Sequence, residues 1–105
     1  MFLVTLSRSG PAYDRSKPLE QQSGWLAHAA FMDGLVESGF IVLGGPLADE
    51  FRVAHAVEAE SEQAVRSTLA SDPWSGTHLA LESVERWTIR LDARRDPPIG
   101  GVGTP

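Results

Sequence analysis

The sequence predicts an α+β fold in the order strand, helix, strand, strand, helix, strand, with the four strands forming one antiparallel sheet. Three observations carry that expectation. Apolar residues recur at the helical period in two separate stretches, 25–36 and 64–69. Short apolar and β-branched runs flank and separate these stretches, and the middle two runs are joined by a connection short enough for an antiparallel hairpin. Glycine and proline punctuate the junctions, at Gly10-Pro11, Pro18, Gly39, Gly44-Gly45-Pro46 and Pro73. This order is the split β-α-β arrangement called ferredoxin-like, in which right-handed crossovers place both helices on one sheet face.

The first strand is expected over 2–6, apolar on both faces as suits a central position. The segment 7–18, with Gly10, Pro11, Asp14 and Pro18, reads as a loop long enough to border a site. Tyr13, Asp14 and Arg15 there are either lid residues or part of a solvated connection. Pro18 fits the first turn of a helix running to Glu37 or Ser38, with Glu20 complementing its N-terminal dipole. Its buried stripe is Trp25, Ala29, Met32, Leu35 and Val36. Gly34 lies off that stripe, in a place suited to a close neighbour, and Gly39 is the expected left-handed stop.

A second strand over 40–43 ends or bends at Gly44-Gly45-Pro46, which suggests a sheet edge, since proline cannot donate to a ladder. The glycines serve either backbone packing or space for a ligand. The third strand, 52–59, carries His55 on a mostly apolar face that sequence alone does not assign to core or solvent. Ser61 is a suitable N-cap for the second helix, whose stripe is Ala64, Val65, Thr68 and Leu69 and which must end before Pro73. Residues 77–84 alternate as a strand, continuing through Trp87, Ile89 and Leu91 after a bulge at Glu85 and Arg86. One domain over 1–91 and a Pro/Gly-rich tail over 92–105 account for the chain.

Composition excludes several function classes. The chain has 105 residues, 42% of them hydrophobic and 22% charged, as in ordinary globular domains. The net charge of −5, with no basic cluster, argues against nucleic-acid partners. With no cysteine, disulfides, thiolate catalysis and cysteine-based zinc sites are impossible. The N-terminal segment MFLVTLSRSG has neither a basic n-region nor a sufficient apolar core for a secretory leader, and no run approaches the ~20 apolar residues of a spanning helix. No membrane association is expected, and a cytoplasmic location is the default. His28, His55, His78 and Asp72 show no H-x-H or H-x₃-H spacing, so neither a metal nor another cofactor is expected.

The most informative residue is His28, three positions after Trp25 and four before Met32, on the apolar face of the first helix. Helix geometry leaves two readings: a core histidine satisfied by a backbone carbonyl, or one lining a pocket between helix and sheet. Asp72-Pro73-Trp74 is a helix exit that holds a carboxylate in an extended conformation beside a large aromatic, and by itself it reads as a surface turn. Both-face apolarity in 2–6 and 40–43 leaves a sheet face to be covered, and a homodimer is the expected solution.

The combination of His28 within WLAHAAFMDGL, the following GFIVLGGPL, the helix start EAESEQAV, Asp72-Pro73-Trp74 and the closing VERWTI resembles the YCII-related (YciI-like) family over residues 1–91. The resemblance implies a dimeric α+β barrel of ferredoxin-like subunits with a His/Asp pair as the active site, here His28 and Asp72. It also implies a pocket edge at Gly45 and Pro46. Where family members carry a basic residue three positions before the histidine this chain has Trp25, which turns the expectation toward an apolar or aromatic ligand. Trp25, Met32, Gly45, Pro46 and Trp74 are therefore the candidate substrate-binding residues.

An imidazole backed by a carboxylate is a general acid-base unit. With no serine in a strand-to-helix nucleophile elbow, covalent acyl chemistry has little support. The expectation is a small cofactor-independent lyase or isomerase acting on a small cyclic or aromatic compound, as elimination by a dehydrochlorinase-type family member implies. The alternatives are a dimeric small-ligand-binding or accessory domain without catalysis, and a structural dimer with a core histidine.

Overall fold

The structure, a computed structural model, describes residues 1–94. In chain order these form β1 (Phe2–Ser7), a single 3₁₀ turn (Leu19–Gln21), α1 (Trp25–Glu37), β2 (Ile41–Pro46), β3 (Arg52–Val57), α2 (Glu62–Leu69) and β4 (Ala80–Arg86). The strands make one antiparallel sheet in the order β2-β3-β1-β4. The expected α+β architecture, with a four-stranded antiparallel sheet and two helices, is therefore present. Among the described residues no helix is long and apolar enough to cross a membrane. Of the tail expected over 92–105, only 92–94 fall within the described residues, where Arg94 pairs with Asp92 at 2.6 Å.

Alternation in β1 sets the layers. Phe2, Val4 and Leu6 are buried and join Ile41, Val57, Val65, Leu69, Trp74, Leu79 and Val84 in one core, with Trp25, Met32 and Leu35 of α1 packed against it. Both helices thus cover the Val4 face. Val4, Val57 and Val65 are fully buried, each worth about 1.5–3 kcal/mol in removed apolar area. The register pairs Val4 with His55 and with Val84, so the face of β3 that carries His55 is the core face. Leu3, Thr5, Ala54, Ala56 and Leu43 share the opposite face, which neither helix covers, and Leu43 is 58% exposed there.

Several boundaries differ from the sequence expectation. Helix α1 begins at Trp25, not at Pro18, because Gly24 adopts a left-handed conformation (φ +73°) that breaks the path from the 3₁₀ turn. The buried amide of Gln22 fixes that break: its Nε2 donates to the carbonyls of Asp14 and Lys17 and its Oε1 accepts from the Asp14 N–H. The 7–18 loop is thereby tied to the helix start. Val36, expected on the buried stripe, is exposed, since the stripe turns outward where α1 leaves the sheet. At the other end Gly39 is left-handed as expected, at φ +82°.

Strand β2 runs through Gly44 and Gly45 to Pro46 instead of stopping at Leu43. It is an edge strand, so the missing N–H of Pro46 is harmless. The N-cap at Ser61 forms, its Oγ accepting the Ala64 N–H at 3.0 Å. Residues 77–79 are not strand: their N–H groups all converge on the carbonyl of Trp74, and β4 starts only at Ala80. The bulge falls at Glu82, between the pairs Leu6–Leu81 and Thr5–Ser83, and not at Glu85 and Arg86. Ladder pairing ends with Trp87 N–H donating to the Met1 carbonyl, so Ile89 and Leu91 lie beyond β4.

Gly34 has open space, not a close neighbour, around the position of a Cβ. Gly34→Ala is accordingly expected to raise the unfolding free energy by about 1 kcal/mol, read as a higher urea midpoint with an unchanged slope.

Candidate functional site

Helix α1 has one buried residue, His28, in its first turn. Asp72 arrives from the other side of the core, in the turn that follows α2: its N–H donates to Leu69 O, its carbonyl accepts from Ser75 N–H, and its Oδ1 accepts from Trp74 N–H at 2.9 Å. The carboxylate is thus pinned by its own backbone turn before it meets any distant group. His28 Nδ1 lies 2.9 Å from both Asp72 oxygens. Because an ionised carboxylate can only accept, Nδ1 carries the proton and the neutral ring presents Nε2 as a base. Nε2 makes no hydrogen bond among the described residues and is not sealed from solvent.

Aromatic rings fix the orientation of the pair. The Trp74 indole, 1% exposed, stacks on His28 at 4.1 Å and 5° and on His78 at 4.5 Å and 15°. Trp74 Nε1 donates to Ser23 O at 2.9 Å, and Trp25 lies tilted at 6.0 Å from His28. His78 has a defined tautomer: Thr77 Oγ1 donates to Pro73 O and accepts from His78 Nδ1, leaving Nε2 to accept from Ser23 Oγ at 3.0 Å. Burial holds His78 below the usual imidazole range; a proton on His28 would add to the effect, and Asp72 opposes it.

A third imidazole stands close by. His55, on the core face of β3, pairs with Gly44 across the hairpin, and a Cβ at position 44 would overlap its Nδ1. That Nδ1 is the one buried side-chain nitrogen or oxygen among the described residues without a hydrogen bond. Desolvation pushes the His55 pKa down, a proton on His28 would add to the effect, and Asp72 opposes it. A cavity of about 120 Å³ opens between the helices and the sheet, walled by Met32, His55, Leu69, Asp72, Ser75 and Leu81 among others. His28 does not line it; Asp72 stands between the imidazole and this space.

The structure brings together four of the sequence-expected residues, His28, Asp72, Trp25 and Trp74, and sets Met32 on the cavity wall beside Asp72. It does not bring Gly45 and Pro46 to the pair. Gly45 pairs with Ala54 on the uncovered sheet face, in open space. Pro46 borders a separate open cleft with Arg8, Tyr13, Arg15 and Phe51. Of the loop candidates, Tyr13 meets His78 edge-on at 6.5 Å, Arg15 lies over Phe51 at 5.0 Å, and Asp14 is bound to Gln22. The glycine that borders the site is Gly44. Hairpin register is the signal that finds it: a turn centred on Asp49 and Glu50 sets Gly44 opposite His55.

Among the described residues no group of three or more His, Asp or Glu side chains is arranged to hold a metal ion. What the geometry defines is an α+β domain with a buried imidazole-carboxylate pair beside a small, largely apolar cavity. No protein-family model matches the chain, and neither a curated protein nor a solved structure matches it.

The environment of His55 has a consequence for stability. The fold holds the ring neutral, whereas the unfolded chain takes up a proton as pH falls through about 6.5, so stability is lost in acid below that value. The urea midpoint is expected to fall between pH 7.5 and 5, and to fall less steeply in His55→Phe, with His78 contributing the remainder in the same direction. Equal slopes in the two proteins would show that the buried ring protonates freely.

Proposed function

We propose that this chain is a small cofactor-independent lyase or isomerase in which His28 and Asp72 form a general acid-base pair acting on a small cyclic or aromatic compound. The observation that carries the reading is the double contact of His28 Nδ1 with both Asp72 oxygens at 2.9 Å. With Nδ1–H held by the carboxylate, Nε2 takes a proton from carbon next to a carbonyl or opposite a leaving group, and Asp72 stabilises the imidazolium so formed. Return of the proton to a different atom gives isomerisation; departure of the leaving group gives elimination. The likeness of WLAHAAFMDGL, GFIVLGGPL and Asp72-Pro73-Trp74 to the YCII-related family supports the same reading.

The test is deuterium exchange next to the carbonyl of small cyclic ketones in D₂O, followed by proton NMR. His28→Gln is expected to slow protein-catalysed exchange by about 10²- to 10⁴-fold. Exchange by the wild type that survives unchanged in His28→Gln would remove the reading. One observation favours a second possibility, a ligand-binding or accessory domain without catalysis: the cavity wall is formed by Asp72 and His55 and not by His28.

The strand order β2-β3-β1-β4, with both helices on one face, supports a ferredoxin-like subunit. The sheet face bearing Leu3, Leu43 and Ala54, which neither helix covers, supports a homodimer that closes an α+β barrel by sheet-on-sheet packing. Sedimentation at micromolar concentration is expected to give a species of twice the 11.3 kDa chain mass. Leu43→Glu, which sets a charge on that face, is expected to give the monomer; a wild-type monomer would overturn the assembly.

A further inference from the structure

We infer that the cavity beside Asp72 is a binding site for a neutral compound no larger than one six-membered ring that carries a carbonyl oxygen, with His55 donating its Nε2–H to that oxygen. His55 has no role in the acid-base pair, yet it is one of four polar side chains, with Arg66, Asp72 and Ser75, in an otherwise apolar wall. The Nδ1 edge is pressed against Gly44, where a proton would point at a glycine Cα and meet no acceptor. The neutral ring therefore keeps its proton on Nε2. That nitrogen also has no hydrogen-bond partner among the described residues and is not sealed off. A donor in a partly buried wall with nothing to receive its proton is costly, and a ligand oxygen removes that cost.

Size and charge narrow the ligand. The cavity volume is about 120 Å³, below the ~150 Å³ of a closed apolar cavity that accepts benzene, but this cavity opens to solvent on one side, so a single small ring is the largest body it takes. Leu6, Met32, Leu69, Leu79 and Leu81 supply apolar walls for the ring carbons. The Asp72 carboxylate in the wall opposes an anionic ligand, and Arg66 at the same cavity opposes a cationic one. A cyclic ketone meets all of these conditions. The glycine at 44 is part of the device, because any Cβ there would push the imidazole out of its place.

The site is distinct from the proton transfer proposed above, since Asp72 separates this cavity from the imidazole of His28, and its test is binding and not turnover. The probes are cyclohexanone and methylenecyclohexane, which share a shape and differ in the acceptor oxygen. The wild-type chain is expected to bind cyclohexanone about five- to tenfold more tightly, the net worth of one hydrogen bond, with a shift of the His55 Nε2 resonance on saturation. The preference is expected to fall to about one in His55→Phe, which keeps an aromatic wall, and in Gly44→Ala, which displaces the ring. Amide spectra confirm folding, and His55→Phe alone suffices if Gly44→Ala does not fold. Equal affinity of the two probes in the wild type, an unmoved His55 resonance, or a preference that persists in folded His55→Phe would overturn the inference. A ketone preference that depends on His55, in a protein without deuterium exchange, would uphold this site and remove only the catalytic reading.

Discussion

Burial of the Asp72 carboxylate is the constraint on which the rest of the structure depends. At 7% exposure, an ionised carboxylate is costly unless donors meet its oxygens. Asp72 meets them from two directions. The Trp74 N–H is local and closes the turn after α2; the His28 Nδ1–H comes from α1, 44 residues away in sequence. Closing the turn also lays the Trp74 indole flat on the His28 ring, so one carboxylate sets both the position of the imidazole and the surface stacked against it. Removing one partner of a buried pair strands the other at a cost of about 3–5 kcal/mol. The two halves of the fold are locked together at this point.

The three histidines differ in their surroundings, and only one has the contacts that a base requires. His78 sits in a chain of hydroxyls that fixes its proton on Nδ1 and occupies Nε2 with Ser23, so neither nitrogen is left for a substrate. His55 has no anionic partner in hydrogen-bond contact, and its burial keeps it neutral. His28 alone combines a free Nε2 with a carboxylate at Nδ1 that stabilises the charge acquired on protonation. Its nearness also acts on the other two, since a charge on His28 opposes protonation of both.

Much of this arrangement is legible in the sequence, and what is not has identifiable causes. Helical spacing places His28 on the buried face of α1, and Asp72 is readable as the residue at a proline-marked helix exit. The helix start is not readable from spacing, because Pro18 and Glu20 are good N-terminal signals that belong instead to a 3₁₀ turn. The break is made by the buried Gln22 amide, a contact with a loop that periodicity does not register. The alternation in 77–84 misleads for a similar reason: three N–H groups converge on one carbonyl at Trp74, giving a tight turn with a strand-like pattern. Gly45 and Pro46 are separated from the pair by strand pleat, since a one-residue step in β2 moves a residue to the other sheet face. Gly44 faces His55, and Gly45 faces away.

That Gly44–His55 pair is where the fold departs furthest from what stability alone favours. A glycine within a strand costs about 0.5–1 kcal/mol relative to alanine, and a buried nitrogen without a partner costs about 1–3 kcal/mol. An alanine facing a leucine would avoid both terms, and elsewhere the core follows that logic: Phe2, Val4, Val57, Val65 and Leu69 are apolar and well buried. Departures from local rules concentrate at functional sites. Here the two departures share one hairpin pair, whose His55 stands on the wall of the cavity that also holds the Asp72 carboxylate. The same pair that weakens the core gives an apolar space a hydrogen-bond donor, and the carboxylate of Asp72 stands between that space and the imidazole of His28.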